Sequence, residues 1–247
     1  MRPVAEDRTA VPKAEDNACD RRSLHERIAA DLRDEIMSGD IPPGESVPST
    51  QQLKTRFVAS NATVQKALQV LKAEGLVVGR PGASVTVRPH RQRTLRPAWR
   101  PRRDRSRLLD VAEVRPPADV AAAMNLMKNG TALLRSRIVL FDDEPVELVK
   151  SYYPLDIARG TPMMEHRAIG EGAPALLAEL GHPPRRCVDR VSARVPTQEQ
   201  YRALEMPGDL PVLRTFRVLY DEGDRPIEVS VMAKAGHLQE LEYGFRS

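Results

Sequence analysis

Apolar residues in the first ninety positions recur with helical spacing and then switch to strand spacing. Ile28, Leu32 and Ile36 stand at i, i+4 and i+8, one stripe of a helix. Ser23 and Glu26 ahead of them have the spacing of a capping box, which satisfies free N–H groups at a helix start. Gly39 and the turn from Ile41 to Gly44 end that helix. Ser49 and Gln52 cap a second helix carrying Leu53 and Phe57. A third begins at Ser60 and runs through Val64, Ala67, Leu68 and Leu71 to Gly75. Two short helices joined by about three residues form a helix-turn-helix. Residues 76–78 and 85–87 are then β-type runs around a turn containing Arg80 and Gly82, which predicts a hairpin. Three helices followed by a hairpin predict a winged helix over residues 22–88.

Further along, the pattern alternates. Strands are expected at 132–141, 145–153, 187–195, 211–220 and 226–234, and amphipathic helices at 117–126, 173–180 and 197–205. An acidic turn, Asp142 to Glu144, joins the first two strands, and residues 221–225 join the last two. Hairpins with interspersed helices predict an α+β domain on an antiparallel sheet over 108–247. Between the two patterned regions, 89–107 reads as a linker, since Pro89, Pro97 and Pro101 exclude a regular helix. Residues 1–21 mix acids and bases without an apolar run, the pattern of a disordered tail and not of a secretory signal.

Charge changes this picture in one place. The net charge of +4 is concentrated in residues 88–107, where nine arginines face one acid, Asp104. An acidic partner such as nucleic acid therefore meets the middle of the chain. Cys19 and Cys187 are too far apart in pattern to suggest a structural disulfide, and they point to a reducing cytoplasm. No apolar run reaches the ~20 residues of a membrane span. The five histidines have no metal-site spacing, and neither a phosphate-cradling glycine loop nor a nucleophile elbow is present. No cofactor, no metal and no catalytic residue is expected.

With Val64, Ala67, Leu68 and Leu71 facing inward, helix three presents Asn61, Gln65 and Lys66 outward. Asn61, Thr63 and Gln65 are candidates for base contact, and Ser60 and Lys66 for phosphate contact. Ser49, Thr50 and Gln51 at the start of helix two, with Arg80 and Gly82 of the wing, complete the candidate DNA surface. An ordinary solvated polar face is the alternative for each. On the predicted strand 132–141, Arg135 and Arg137 alternate and so share one face of the sheet.

These residues carry a resemblance. The block LHERIAADLRDEIMSGDIPPGESVPS, followed by SNATVQKALQVLKAEGLVV and the glycine-turn wing, resembles the DNA-binding domain of the GntR superfamily across nearly all of 24–87. Residues 108–247 resemble the UTRA effector domain of the HutC subfamily, whose fold is similar to chorismate lyase. The carriers are Arg135 with Arg137, residues 142–154, 193–204 and 211–230. The resemblance implies a homodimeric repressor released from a palindromic double-stranded DNA operator by a small, anionic metabolite. It also implies effector contacts from Arg135, Arg137, Ser151, Glu228 and the position of Lys234. Gln51 and Asn61 stand where the family commonly has arginines that read guanine, so operator preference shifts toward adenine. Val149 and Lys234 depart from relatives that sense sugar phosphates. Two other readings stay open: a constitutive or plasmid-type regulator whose second domain only dimerises, and a lyase-like enzyme.

Overall fold

Helix α1 (Leu24–Ser38) starts where the Ser23 hydroxyl and backbone N–H donate to the Glu26 carboxylate at 2.6 and 2.7 Å, and those bonds hold the carboxyl below its usual range. It ends at Gly39, whose φ of 85° is a left-handed conformation that glycine adopts without a Cβ clash. Ile28, Ala29, Leu32 and Ile36 are buried against the inward stripe of α3 (Asn61–Ala73), formed by Val64, Ala67, Leu68 and Leu71. The short helix α2 (Thr50–Phe57) adds Leu53 to this core. A bidentate ion pair fastens α1 to the end of α3: Arg33 reaches the buried Glu74 carboxylate with Nε at 2.8 Å and a terminal nitrogen at 2.5 Å. The wing is an antiparallel pair, β1 (Val77–Val78) with β2 (Thr86–Val87), and Ser46 bridges to Thr86.

The structure, a computed structural model, describes residues 20–79, 84–89, 93–95, 105–208 and 210–244. Arg80 and Gly82 of the wing, most of the expected tail with Cys19, and most of the arginine-rich stretch lie outside the described residues. The chain divides into two compact units, 1–91 and 92–247.

The second unit is built on a six-stranded antiparallel sheet in the order β4-β5-β6-β9-β8-β7. Its strands are β4 (Arg105–Val114), β5 (Ala132–Phe141), β6 (Glu144–Tyr153), β7 (Arg186–Arg194), β8 (Val212–Tyr220) and β9 (Pro226–Ala235). Successive strand residues point to opposite faces, so the sheet has two cores. On one face Val120 and Met124, from α4 (Ala118–Ala123) and its C-cap, pack on Tyr152, Phe216, Val218 and Val229. On the other, α5 (Leu155–Ala158), a 3-10 turn at Pro162–Met164 and α6 (Ala173–Glu179) bring Ile157, Met163 and Leu177 onto Leu133, Tyr153 and Leu219. Helix α7 (Gln198–Ala203) is capped by Thr197. A separate pair runs parallel: β10 (Gln239–Leu241) beside β3 (Arg93–Leu95).

The mixed α+β architecture agrees with the sequence pattern, with differences at particular elements. Strand β4 was not anticipated; it begins inside the stretch expected to be linker, as an edge strand whose residues are mostly exposed. Glu144 belongs to β6, not to the turn, because it pairs with Phe141. The turn is the two residues Asp142 and Asp143, both with positive φ (50° and 63°), the geometry that matches the twist of a hairpin. Helix α4 stops at Ala123, three residues short of expectation. Among the described residues no helix is long and apolar enough to cross a membrane, and no His, Cys, Asp and Glu group could hold a metal ion.

Candidate nucleic-acid interface and effector site

The ends of α2 and α3 are positioned by capping. Ser49 accepts from the Gln52 backbone N–H at 3.3 Å while the Gln52 side-chain carbonyl accepts from the Ser49 N–H at 2.8 Å. Ser60 accepts from the Thr63 N–H at 3.1 Å, with its hydroxyl 2.9 Å from that of Thr63. Leu53 and Val64 anchor the two helices from below, both fully buried. Gln51, Ser60, Asn61, Gln65 and Lys66 are exposed, and Thr50 and Thr63 are half-buried. One bond spans the two helices: the Gln65 amide Nε2 donates to Thr50 Oγ1 at 3.2 Å. Exposed N–H groups and polar side chains at adjoining helix starts can meet phosphates and base edges.

The second candidate site lies on the sheet face that carries Leu133 and Tyr153. Strand registers place Arg135 beside Ser151, Ser151 beside Ser230, Ser230 beside Arg217, and Arg217 beside Asp189. A polar row thus crosses five strands. The Ser151 and Ser230 hydroxyls lie 2.6 Å apart, and both donate to Glu228 Oε1, at 3.2 and 2.5 Å. Glu228 is 8% exposed, and its other oxygen, Oε2, is buried and accepts no hydrogen bond from the described residues. Arg217 holds Asp189 with two bonds of 2.7 Å. Burial pushes the Asp189 carboxyl up, but these bonds outweigh it and leave its pKa below the ordinary value.

The arginines and the lysine expected here differ in what they touch. Arg135 is buried, which lowers its pKa, and its guanidinium donates to the backbone carbonyls of Met163, at 2.5 Å, Glu165, at 2.9 Å, and Arg167. That binds the 163–167 segment to the sheet and uses three of its five N–H groups. Arg137, half-buried, makes no hydrogen bond or ion pair among the described residues. Lys234 is buried and committed to Glu147, 2.8 Å away, with Thr215 at 3.4 Å. Ser230, Arg217, Asp189 and Glu147 had not been singled out. Ser230 was within reach, since it stands two residues after Glu228 on a predicted strand; the others needed the register of strands distant in sequence.

A cavity of about 150 Å³ lies beside the 163–167 segment, lined by Pro162, Arg167, Ile169, Leu176 and Glu179 among others. It touches none of the expected effector residues, and it is smaller than the roughly 300 Å³ at which ligand pockets begin. The polar row, with an unsatisfied carboxylate oxygen, is the better candidate for ligand binding. Cys187 is exposed at the sheet edge, yet its thiol is pushed up to about 11 by burial of the sulfur, which leaves it unreactive at neutral pH.

Comparison with known proteins gives each half of the chain a family match. Residues 24–87 match the family described as bacterial regulatory proteins, gntR family, and residues 100–237 match the UTRA domain. The HTH-type transcriptional regulator GgaR of Escherichia coli (strain K12) is 26% identical over 222 residues, covering 87% of this chain and 88% of its own. A protein of the same organism described as a probable fructoselysine utilization operon transcriptional repressor is 22% identical over 230 residues, covering 87% and 92%. Among solved structures, PhnF from Mycobacterium smegmatis superimposes with a TM-score of 0.56 at 19% identity, over 89% of this chain and 99% of that one.

Proposed function

From the premise that the chain belongs to the gntR family of bacterial regulatory proteins and carries a UTRA domain, we propose that it is a ligand-responsive repressor. The protein is a transcription regulator with a DNA-binding winged helix and a UTRA effector domain, like the regulators it resembles. In the proposed reading it acts in the cytoplasm as a homodimer. Each winged helix reads one half-site of a two-fold symmetric operator through Asn61, Thr63 and Gln65, with Ser49, Thr50, Gln51, Ser60 and Lys66 on or near the backbone. Arg80, Gly82 and the basic stretch 89–107 would add phosphate contacts, since each carries or flanks positive charge. Similarity to a protein named as a repressor supports the direction of control.

The observation that carries the ligand-responsive part is Glu228. A buried carboxylate oxygen without a donor is costly to leave unpaired, and a ligand hydroxyl or amine would satisfy it. Arg137, which makes no hydrogen bond or ion pair among the described residues, is the group that suits an anionic end of the same ligand. Lys234 and Arg135 serve better as supports than as contacts, given their existing bonds. Binding would favour one of two spacings of the winged helices, by a coupling of a few kcal/mol at most.

The test is operator release. Metabolites are screened for stabilisation of the full chain on heating, and hits are titrated into the operator complex. The Glu228→Gln variant should bind operator as the parent does and lose release by the hit. A variant released at the parent's concentration removes Glu228 from the site. One observation favours a second reading, a constitutive regulator whose second domain only dimerises: Arg135 and Lys234 are both already bonded to groups within the protein. A screen without any stabilising compound supports that reading instead.

A further inference from the structure

The bond between Gln65 and Thr50 joins the fifth residue of α3 to the first residue of α2. Both helices are fixed from the core side, through Val64, Ala67 and Leu68 in one and Leu53 in the other. The distance between the two side chains is therefore set by rigid elements and not by loops. A helix residue's Cβ leans toward the helix N-terminus, so Gln65 leans toward the Asn61 end of α3, and its amide meets Thr50 in the first turn of α2.

A glutamine amide carries two N–H donors and one carbonyl acceptor. Its last torsion is soft and roughly two-fold, so an exposed glutamine presents nitrogen and oxygen in either order. The Thr50 hydroxyl takes one N–H. While it accepts that N–H at 3.2 Å, one N–H and Oε1 remain, and that pair matches the N7 acceptor and N6 donor of adenine in the major groove. We infer that Thr50 is a positioning residue for base reading, which orients the Gln65 amide so that α3 selects an adenine at one place in each half-site. The inference rests on the DNA-reading role proposed above and assigns Thr50 an action through Gln65 in place of a phosphate contact.

The experiment uses the full chain and an operator enriched from random duplex DNA, with each base pair of one half-site varied singly. Affinities are measured by fluorescence anisotropy for the parent, Thr50→Val, Thr50→Ser, Gln65→Ala and the Thr50→Val/Gln65→Ala double variant. Valine keeps the shape of threonine and removes the hydroxyl; serine keeps the hydroxyl. The expected result is a loss of about tenfold in preference for adenine at one position in Thr50→Val, with other positions unchanged and preference retained in Thr50→Ser. The double variant should be no worse than Gln65→Ala alone, because both changes remove the same reading. A Thr50→Val effect that is uniform across base pairs, or that adds in full to Gln65→Ala, overturns the inference and makes Thr50 an independent contact. Failure of the parent to enrich any motif would take down the DNA-reading proposal and this inference with it, and is recognised before any variant is made.

Discussion

Glu74 illustrates how a single charged residue is tolerated in a core this small. It is 3% exposed, and two short bonds from Arg33 satisfy its carboxylate. Removing one partner of a buried pair leaves the other desolvated without compensation. Glu74→Gln should therefore lower the stability of the DNA-binding unit by about 3 kcal/mol, read as a lower urea midpoint with unchanged slope; a midpoint within error of the parent would show that Arg33 finds other partners. At this scale the sequence was legible where a residue's role follows from spacing. The shared face of Arg135 and Arg137 followed from alternation. The three carbonyls that Arg135 binds did not, because they lie 28 to 32 positions further along, in a segment without periodicity. For Lys234, the sequence carried no sign of Glu147, which the register puts opposite it.

The turn between α2 and α3 is the element where local preference and tertiary structure disagree most. Val58 closes α2 with φ 48° and ψ 48°, a left-handed conformation that is strained for a β-branched residue, and its side chain is 85% exposed. No burial holds it there, so the geometry is imposed by the helix-turn-helix itself. Val58→Gly should raise stability by about 1 kcal/mol, measured as an upward shift in the thermal midpoint of the first unit; a downward shift would mean that the valine makes contacts the strain argument omits. The helices α1 and α3 were readable because one face of each is buried and its apolar residues repeat, and β5 and β9 because they are runs rich in apolar residues buried on both faces of the sheet. Strand β4 was not, because an edge strand with one neighbour shows solvent on much of its surface, and RSRLLDVAEV carries charges at positions that an inner strand would make apolar. The pairing of β3 with β10 joins residues almost 150 positions apart and leaves no local signal.

The molecule combines a winged helix with exposed polar helix starts and a sheet whose buried polar row includes the Glu228 oxygen that accepts no hydrogen bond from the described residues. Each unit has buried apolar residues of its own. The arginines of residues 88–107 set the charge of the chain between them. In the proposed function a reader of DNA is joined to a binder of small molecules, and the reader is tested first because release presupposes binding. The most direct test is selection of the purified full chain against a pool of random duplex DNA at physiological salt. The predicted result is one enriched motif with two-fold symmetry and fixed half-site spacing, carrying a conserved adenine in each half that Gln65→Ala relaxes. A pool without an enriched motif, or one in which Gln65→Ala changes nothing, would contradict the account.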